Sequence, residues 1–240
     1  MLRLIWVLVL TVILTFIFSV AAVLTGIFNP YSRLTNGIIR TWAKSILYIS
    51  GVKVEIKGLE NIDPTRSYIY MPNHQSAFDI LACVVAIPGT VRFIAKKELF
   101  RIPIFAQGML AAGMIPIDRG NSAEAHATLN RALDKIKNGV SVIIFPEGTR
   151  SRDGEIHPFK KGGFYIALLG GIPIVPMVIR GSFQILKKKS LKVGHGRIQV
   201  RFLPPVETAG RALTERNKLV KEVFRQISDT FYQKGEANDV

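Results

Sequence analysis

From Leu4 to Phe28 the chain has almost no polar position (LIWVLVLTVILTFIFSVAAVLTGIF), and no charge stands between Arg3 and Arg33. At ~1.5 Å per residue this run would be roughly 37 Å long as a helix, more than the ~30 Å hydrocarbon core of a bilayer. It is too long and too uniformly apolar for a buried core helix. A cleaved signal sequence would put its small-x-small site at Ser19-Val20-Ala21. The apolar run continues past that point through Val23, Leu24, Ile27 and Phe28, so a membrane helix is expected. After the break at Asn29-Pro30 the period changes. Leu34, Ile38, Trp42, Ile46 and Ile49 recur at helical spacing, with Arg33, Arg40 and Lys44 on the other face. Such a helix suits either the headgroup layer or the surface of the domain that follows. Residues 1–50 therefore predict a two-helix membrane module, whose first helix spans the bilayer or enters one leaflet and returns. Arg33, Arg40, Lys44, Lys53 and Lys57 outweigh Arg3, which places the remainder on the cytoplasmic side.

Residues 51–240 alternate short β-rich runs with helical patterns. Strands are predicted at Val52–Lys57, Ser67–Met71, Val91–Ala95, Met114–Ile117, Ser141–Phe145, Ile174–Ile179 and Arg197–Phe202. Helices are predicted at Phe78–Ile87, Lys97–Ala111, Ser122–Lys137, Phe164–Leu169 and Thr214–Gln233. This alternation argues for an α/β domain: a mixed, mostly parallel sheet flanked by helices.

Charge and composition narrow the function. The 32 Lys and Arg against 17 Asp and Glu give a formal net charge of +15, which favours anionic partners. An apolar content of 48% excludes a disordered basic tail. A single Cys excludes an internal disulfide framework, and one Cys with four scattered His argues against a structural zinc site. No stripe of interleaved basic and aromatic residues points to nucleic acid. Lys187–Lys189 with Lys192 form the one run of charge. It reads as a solvated loop, or as a surface for an acidic carrier or headgroups.

Three segments carry candidate chemistry. In Pro72-Asn73-His74-Gln75-Ser76-Ala77-Phe78-Asp79-Ile80, His74 lies in the loop after a strand and Asp79 in the first turn of a helix. A carboxylate on one imidazole nitrogen fixes the tautomer and leaves the other as a general base. The same residues also fit a capping box, with Ser76 at the N-cap and Asp79 at the third helical position. Gly113-Met114-Ile115-Pro116-Ile117-Asp118-Arg119-Gly120 ends a strand with an Arg whose fork suits a phosphate or a surface ion pair. Val142 to Arg152 runs a buried strand into Pro146-Glu147-Gly148-Thr149-Arg150, where Gly148 allows close approach and Thr149 and Arg150 are anion donors. There is no G-x-S-x-G elbow and no G-x-x-x-x-G-K-[ST] phosphate loop. Cys83 reads as a small core residue, and His126, His157 and His195 as structural or surface residues.

Asn73-His74-Gln75-Ser76-Ala77-Phe78-Asp79 resembles the H-x-x-x-x-D motif of the glycerolipid acyltransferases. Gly113 to Arg119 resembles their second motif, Phe145-Pro146-Glu147-Gly148-Thr149-Arg150-Ser151 their third and Ile174-Val175-Pro176-Met177-Val178 their fourth. The order and hydrophobic start are similar to the bacterial-type lysophosphatidic acid acyltransferases. The resemblance implies His74 as general base, Asp79 as its orienting partner, and Lys96, Arg119, Glu147, Gly148, Thr149 and Arg150 as holders of the acceptor's phosphate. It implies acyl-CoA or acyl carrier protein as co-substrate and a membrane lipid as acceptor, on an anionic phospholipid surface. It implies neither a resident cofactor nor a metal. Glycerol 3-phosphate or another lysolipid stands as the alternative acceptor, and an anionic-lipid-binding module without catalysis as the alternative role.

Overall fold

The computed structural model describes residues 2–118, 120 and 122–233; Arg119, expected at the site, lies outside them. The β-branched runs form seven strands among the described residues. They are β1 (Val52–Lys57), β2 (Ile69–Pro72), β3 (Val91–Lys96), β4 (Ile115–Ile117), β5 (Ser141–Ile143), β6 (Ile174–Arg180) and β7 (Gly196–Phe202). They make one sheet in the order β1-β7-β6-β2-β5-β3-β4. Every neighbouring pair is parallel except β6 and β7. The mixed, mostly parallel sheet expected from the sequence is therefore present.

The helices are α1 (Leu2–Gly26), α2 (Arg33–Ile49), α3 (Phe78–Ala86), α4 (Phe105–Ala111), α5 (Ser122–Lys137), α6 (Gly162–Gly170), α7 (Ser182–Ile185) and α8 (Arg216–Tyr232). Side chains alternate across each strand. Tyr70 thus joins the core beneath α2 and α3, whereas Ile69 and Met71 join the one beneath α5, α6 and α8. Helices cover both faces, so the central strands are buried on both sides.

One expected helix is broken. Lys97–Ala111 divides into a 3-10 turn, Lys97–Arg101, and α4. Pro103 lacks an N–H and disfavours helical backbone at Ile102 before it. Ile104 then takes a left-handed φ of 68°, and α4 starts afresh.

The apolar N-terminus is helical as expected, with a stretch, Leu4–Gly26, long and apolar enough to cross a membrane. Trp6, Val12, Phe16 and Leu24 are exposed along it. Its other side meets the protein. Trp42 in α2 donates its indole N–H to Thr15 Oγ1 (3.1 Å), and a Cβ on Gly108 of α4 would fall 2.8 Å from Ser19 Cβ. Of the two places open to α2, its buried side chains take the domain surface. Ala43, Ile46 and Leu47 lie in the same core as Tyr70. Arg40 does not face headgroups alone: its guanidinium donates to Ile87 O (2.6 Å) and Gly89 O (2.8 Å).

The turn between α1 and α2 is clamped by cations. Arg92, 1% exposed, donates to Pro30 O and to Val91 O and sits 5.5 Å from the centre of the Tyr31 ring. Burial lowers its pKa to about 10, which still leaves it charged at neutral pH. Lys135 donates to the Tyr31 hydroxyl. The module is thereby fixed to the sheet edge near β3.

Candidate active site

The loops at the carboxyl ends of β2 and β5, neighbours in the sheet, meet to form the site. Such a mouth is where open α/β sheets bind ligands. Pro72 ends β2 and has no N–H to continue the ladder. Asn73 continues it with its side chain: Nδ2 donates to Ile179 O (2.9 Å) and Oδ1 accepts from Ile179 N–H (2.7 Å). The chain leaves the sheet there, and His74 begins the loop.

Asp79 is fully buried. Its Oδ2 accepts from the N–H of Gln75 (2.7 Å) and Ser76 (2.8 Å) and lies 2.9 Å from His74 Nδ1. The capping box expected with Ser76 at the N-cap does not form, because α3 starts at Phe78 with Ala77 as its N-cap; Asp79 still takes two backbone N–H groups at the helix start on the oxygen that orients His74. With a carboxylate on Nδ1, that nitrogen carries the proton and Nε2 is the basic one. The imidazole stacks on Phe145, ring centres 3.8 Å apart, and its side chain is 13% exposed. Ser76 also bonds Phe78 N–H through Oγ, but weakly (3.3 Å).

The second loop grips the backbone of the first. Phe145 O accepts Gly148 N–H (3.0 Å), closing a turn with Pro146 at its second position. Gly148 follows with φ 74°, a conformation that favours glycine. Inside the turn, Glu147 is 4% exposed. Its Oε1 accepts His74 N–H (2.7 Å) and its Oε2 accepts His157 N–H (3.2 Å). Burial pushes the Glu147 carboxyl up to about 7, against the two backbone donors that favour the ion. Ser151 N–H donates to His74 O (2.8 Å), so the His74 backbone is held from both sides.

The predicted site residues fall as follows. His74 and Asp79 are together, and Gly148, Thr149 and Arg150 follow in the loop that wraps them. Glu147, expected among the phosphate holders, has both oxygens committed to backbone N–H groups, so its work here is to staple the two loops. Lys96 ends β3 at the same edge of the sheet, exposed and paired with Glu98 (3.1 Å). Cys83 is fully buried, and burial with the Asp79 charge pushes its thiol well up. Such a thiol is a poor nucleophile.

Two residues emerge only from the structure. Asn73 is one; in the sequence it stands only at the head of the segment that resembles the H-x-x-x-x-D motif, with no role assigned to it. Lys188 is the other: its ammonium donates to Thr149 Oγ1 (2.8 Å) and Arg150 O (2.9 Å). The run at 187–189 is thus not wholly a solvated loop.

The family model described as "Acyltransferase" matches residues 53–180. The chain is 36% identical over 199 residues to 1-acyl-sn-glycerol-3-phosphate acyltransferase alpha of Bos taurus, covering 80% of this chain and 69% of that protein. It is 38% identical over 182 residues to 1-acyl-sn-glycerol-3-phosphate acyltransferase of Cocos nucifera, covering 75% of this chain and 58% of that protein. Among solved structures, the 1-acyl-sn-glycerophosphate (LPA) acyltransferase PlsC from Thermotoga maritima superposes with a TM-score of 0.75 at 30% identity, covering 98% of this chain and all of that one.

Proposed function

The chain belongs to the acyltransferase family that includes these 1-acyl-sn-glycerol-3-phosphate acyltransferases, and from that premise we propose that it moves an acyl group from a thioester to the 2-hydroxyl of lysophosphatidate. The observation that carries the proposal is the 2.9 Å pairing of His74 Nδ1 with buried Asp79, beside a loop bearing Thr149 and Arg150. His74 Nε2 takes the hydroxyl proton as the oxygen attacks the thioester carbonyl. The tetrahedral intermediate then collapses and expels the thiolate, which takes the proton back from the imidazolium. Asp79 stabilises that cation throughout. Proton transfer of this kind contributes ~10²–10⁴-fold, and the rest comes from holding both substrates in line. The transfer is redox-neutral and direct, so it calls for no resident cofactor and no protein nucleophile.

The acceptor's phosphate is assigned to Thr149 and Arg150, with Lys96 at the end of β3 and Arg119, outside the described residues, as further candidates; Gly148, whose N–H closes the turn on Phe145 O, shapes the loop instead. A carboxylate beside a phosphate would repel it, which favours Glu147 as a staple. The surroundings of His74 suit a lipid. Its ring lies on Phe145, which stacks on Phe93 at 6.3 Å. Phe93 N–H meets Met114 Sδ (3.3 Å), and Met114 lines an apolar cavity of about 60 Å³ between α1, α2 and α4. The exposed apolar side chains of α1 support placing this mouth at a membrane, on the cytoplasmic side by the excess of basic residues after the first helix. The donor is acyl-CoA or acyl carrier protein.

An acceptor series tests the reading. Purified enzyme in detergent or vesicles, given one acyl-CoA, is expected to acylate lysophosphatidate at least about tenfold faster than glycerol 3-phosphate or lysophosphatidylcholine at equal concentration. That margin corresponds to ~1.4 kcal/mol of discrimination. A faster rate with either alternative would reassign the acceptor.

A further inference from the structure

We infer that Lys188 is a further ligand of the acceptor's phosphate, an inference that rests on the function just proposed. The segment after α7 touches both loops of the site at once. Leu186 O accepts the Ser76 hydroxyl (2.8 Å), two residues past His74. Lys188 Nζ reaches the other loop, at Thr149 Oγ1 and Arg150 O. Gly194 N–H donates to Ile185 O (2.7 Å) and folds the segment back on itself. This strap therefore forms a third wall of the mouth, and Lys188 is the cation it contributes there.

The bonds of Lys188 explain its place but not its charge. Both partners are neutral oxygens, and a lysine ammonium has three hydrogens, so a third remains for a ligand. Partial burial holds the Lys188 pKa below the usual lysine value, and the neighbouring charges of Arg152, Arg150 and Lys189 lower it further. Among the described residues none of these four cations is paired with a carboxylate; like charges gathered in this way oppose one another, and a dianionic phosphate removes that opposition. Lys187 does not share the role, since its ammonium lies over the Phe183 ring at 4.9 Å. A phosphate seated on Thr149 and Arg150 would meet the third hydrogen of Lys188 from the open side.

Steady-state kinetics with lysophosphatidate and acyl-CoA varied separately test this. Hydrogen bonds to charged groups contribute ~1.5–3 kcal/mol, which is roughly 10- to 100-fold in affinity. Lys188→Ala should therefore raise KM for lysophosphatidate by about that factor, with kcat and KM for acyl-CoA within about threefold of wild type. Lys188→Gln retains an N–H donor for Thr149 or Arg150 but no charge, and should show the same rise. Lys188→Arg should restore most of the affinity, and Lys192→Ala, further along the strap, should change nothing. An unchanged KM for lysophosphatidate in both neutral variants would overturn the inference. So would a rise in KM for acyl-CoA instead, or a fall in kcat alone. Wild-type enzyme inactive on lysophosphatidate would overturn the function and the inference with it, whereas an active wild type with an unchanged KM in both neutral variants would overturn the role of Lys188 alone.

Discussion

His74→Ala is expected to lower kcat for acyl transfer by about 10²–10⁴-fold while the protein stays folded. The loop does not depend on the imidazole for its path. Glu147 holds the backbone N–H of residue 74 and Ser151 holds its carbonyl, and both bonds survive the substitution. The loss falls on Asp79, which keeps Gln75 and Ser76 but gives up its bond to the ring. Leaving a buried acceptor with one partner fewer costs about 1–3 kcal/mol. Circular dichroism and thermal unfolding, measured beside the transfer assay, separate the two effects. Transfer retained within tenfold by the folded variant would remove His74 from the chemistry.

Asp79→Asn should lower kcat about as much, by up to ~10⁴-fold in the manner of other histidine-carboxylate pairs. An asparagine oxygen at the Oδ2 position still accepts from Gln75 and Ser76, and Asn is itself a good cap. It carries no charge to stabilise the imidazolium, and its amide nitrogen would lie where Oδ1 is already buried without a partner among the described residues. Asp79→Ala would add a stability loss of about 3–5 kcal/mol, the usual result of removing one member of a buried pair. If Asp79 served the helix alone, Asn would keep transfer near the wild-type rate, whatever the buried amide nitrogen costs in stability. Denaturant unfolding and initial rates on the same preparations distinguish the roles.

The strands were legible because their signals are local. Val91 to Lys96 and Ile174 to Arg180 are short β-branched runs between turn residues, and they form β3 and β6 with ends shifted by only a residue. The His74–Asp79 pair was legible because a loop histidine and a first-turn carboxylate can meet across a helix start. Other features depend on which segments meet in space. Lys97–Ala111 has a helical period, but Pro103 and the left-handed Ile104 divide it. Arg40 looked like a headgroup residue because its partners, Ile87 O and Gly89 O, are backbone groups nearly fifty positions away. Glu147 reads in sequence as one polar residue among several. Only its turn reveals a carboxylate buried between two loop backbones. Lys188 was hidden in a charge run, since nothing local distinguishes it from Lys187 and Lys189.

Rapid-mix measurement of thiol release from an acyl-CoA, with and without lysophosphatidate, tests direct attack by the acceptor most immediately. No fast thiol release is expected without acceptor, since the attacking oxygen is the acceptor's own hydroxyl and Cys83, the one cysteine, is fully buried. With acceptor, thiol and phosphatidate should appear together in equal amounts. A burst of thiol equal to the enzyme concentration in the absence of lysophosphatidate would reveal an acyl-enzyme and contradict the mechanism.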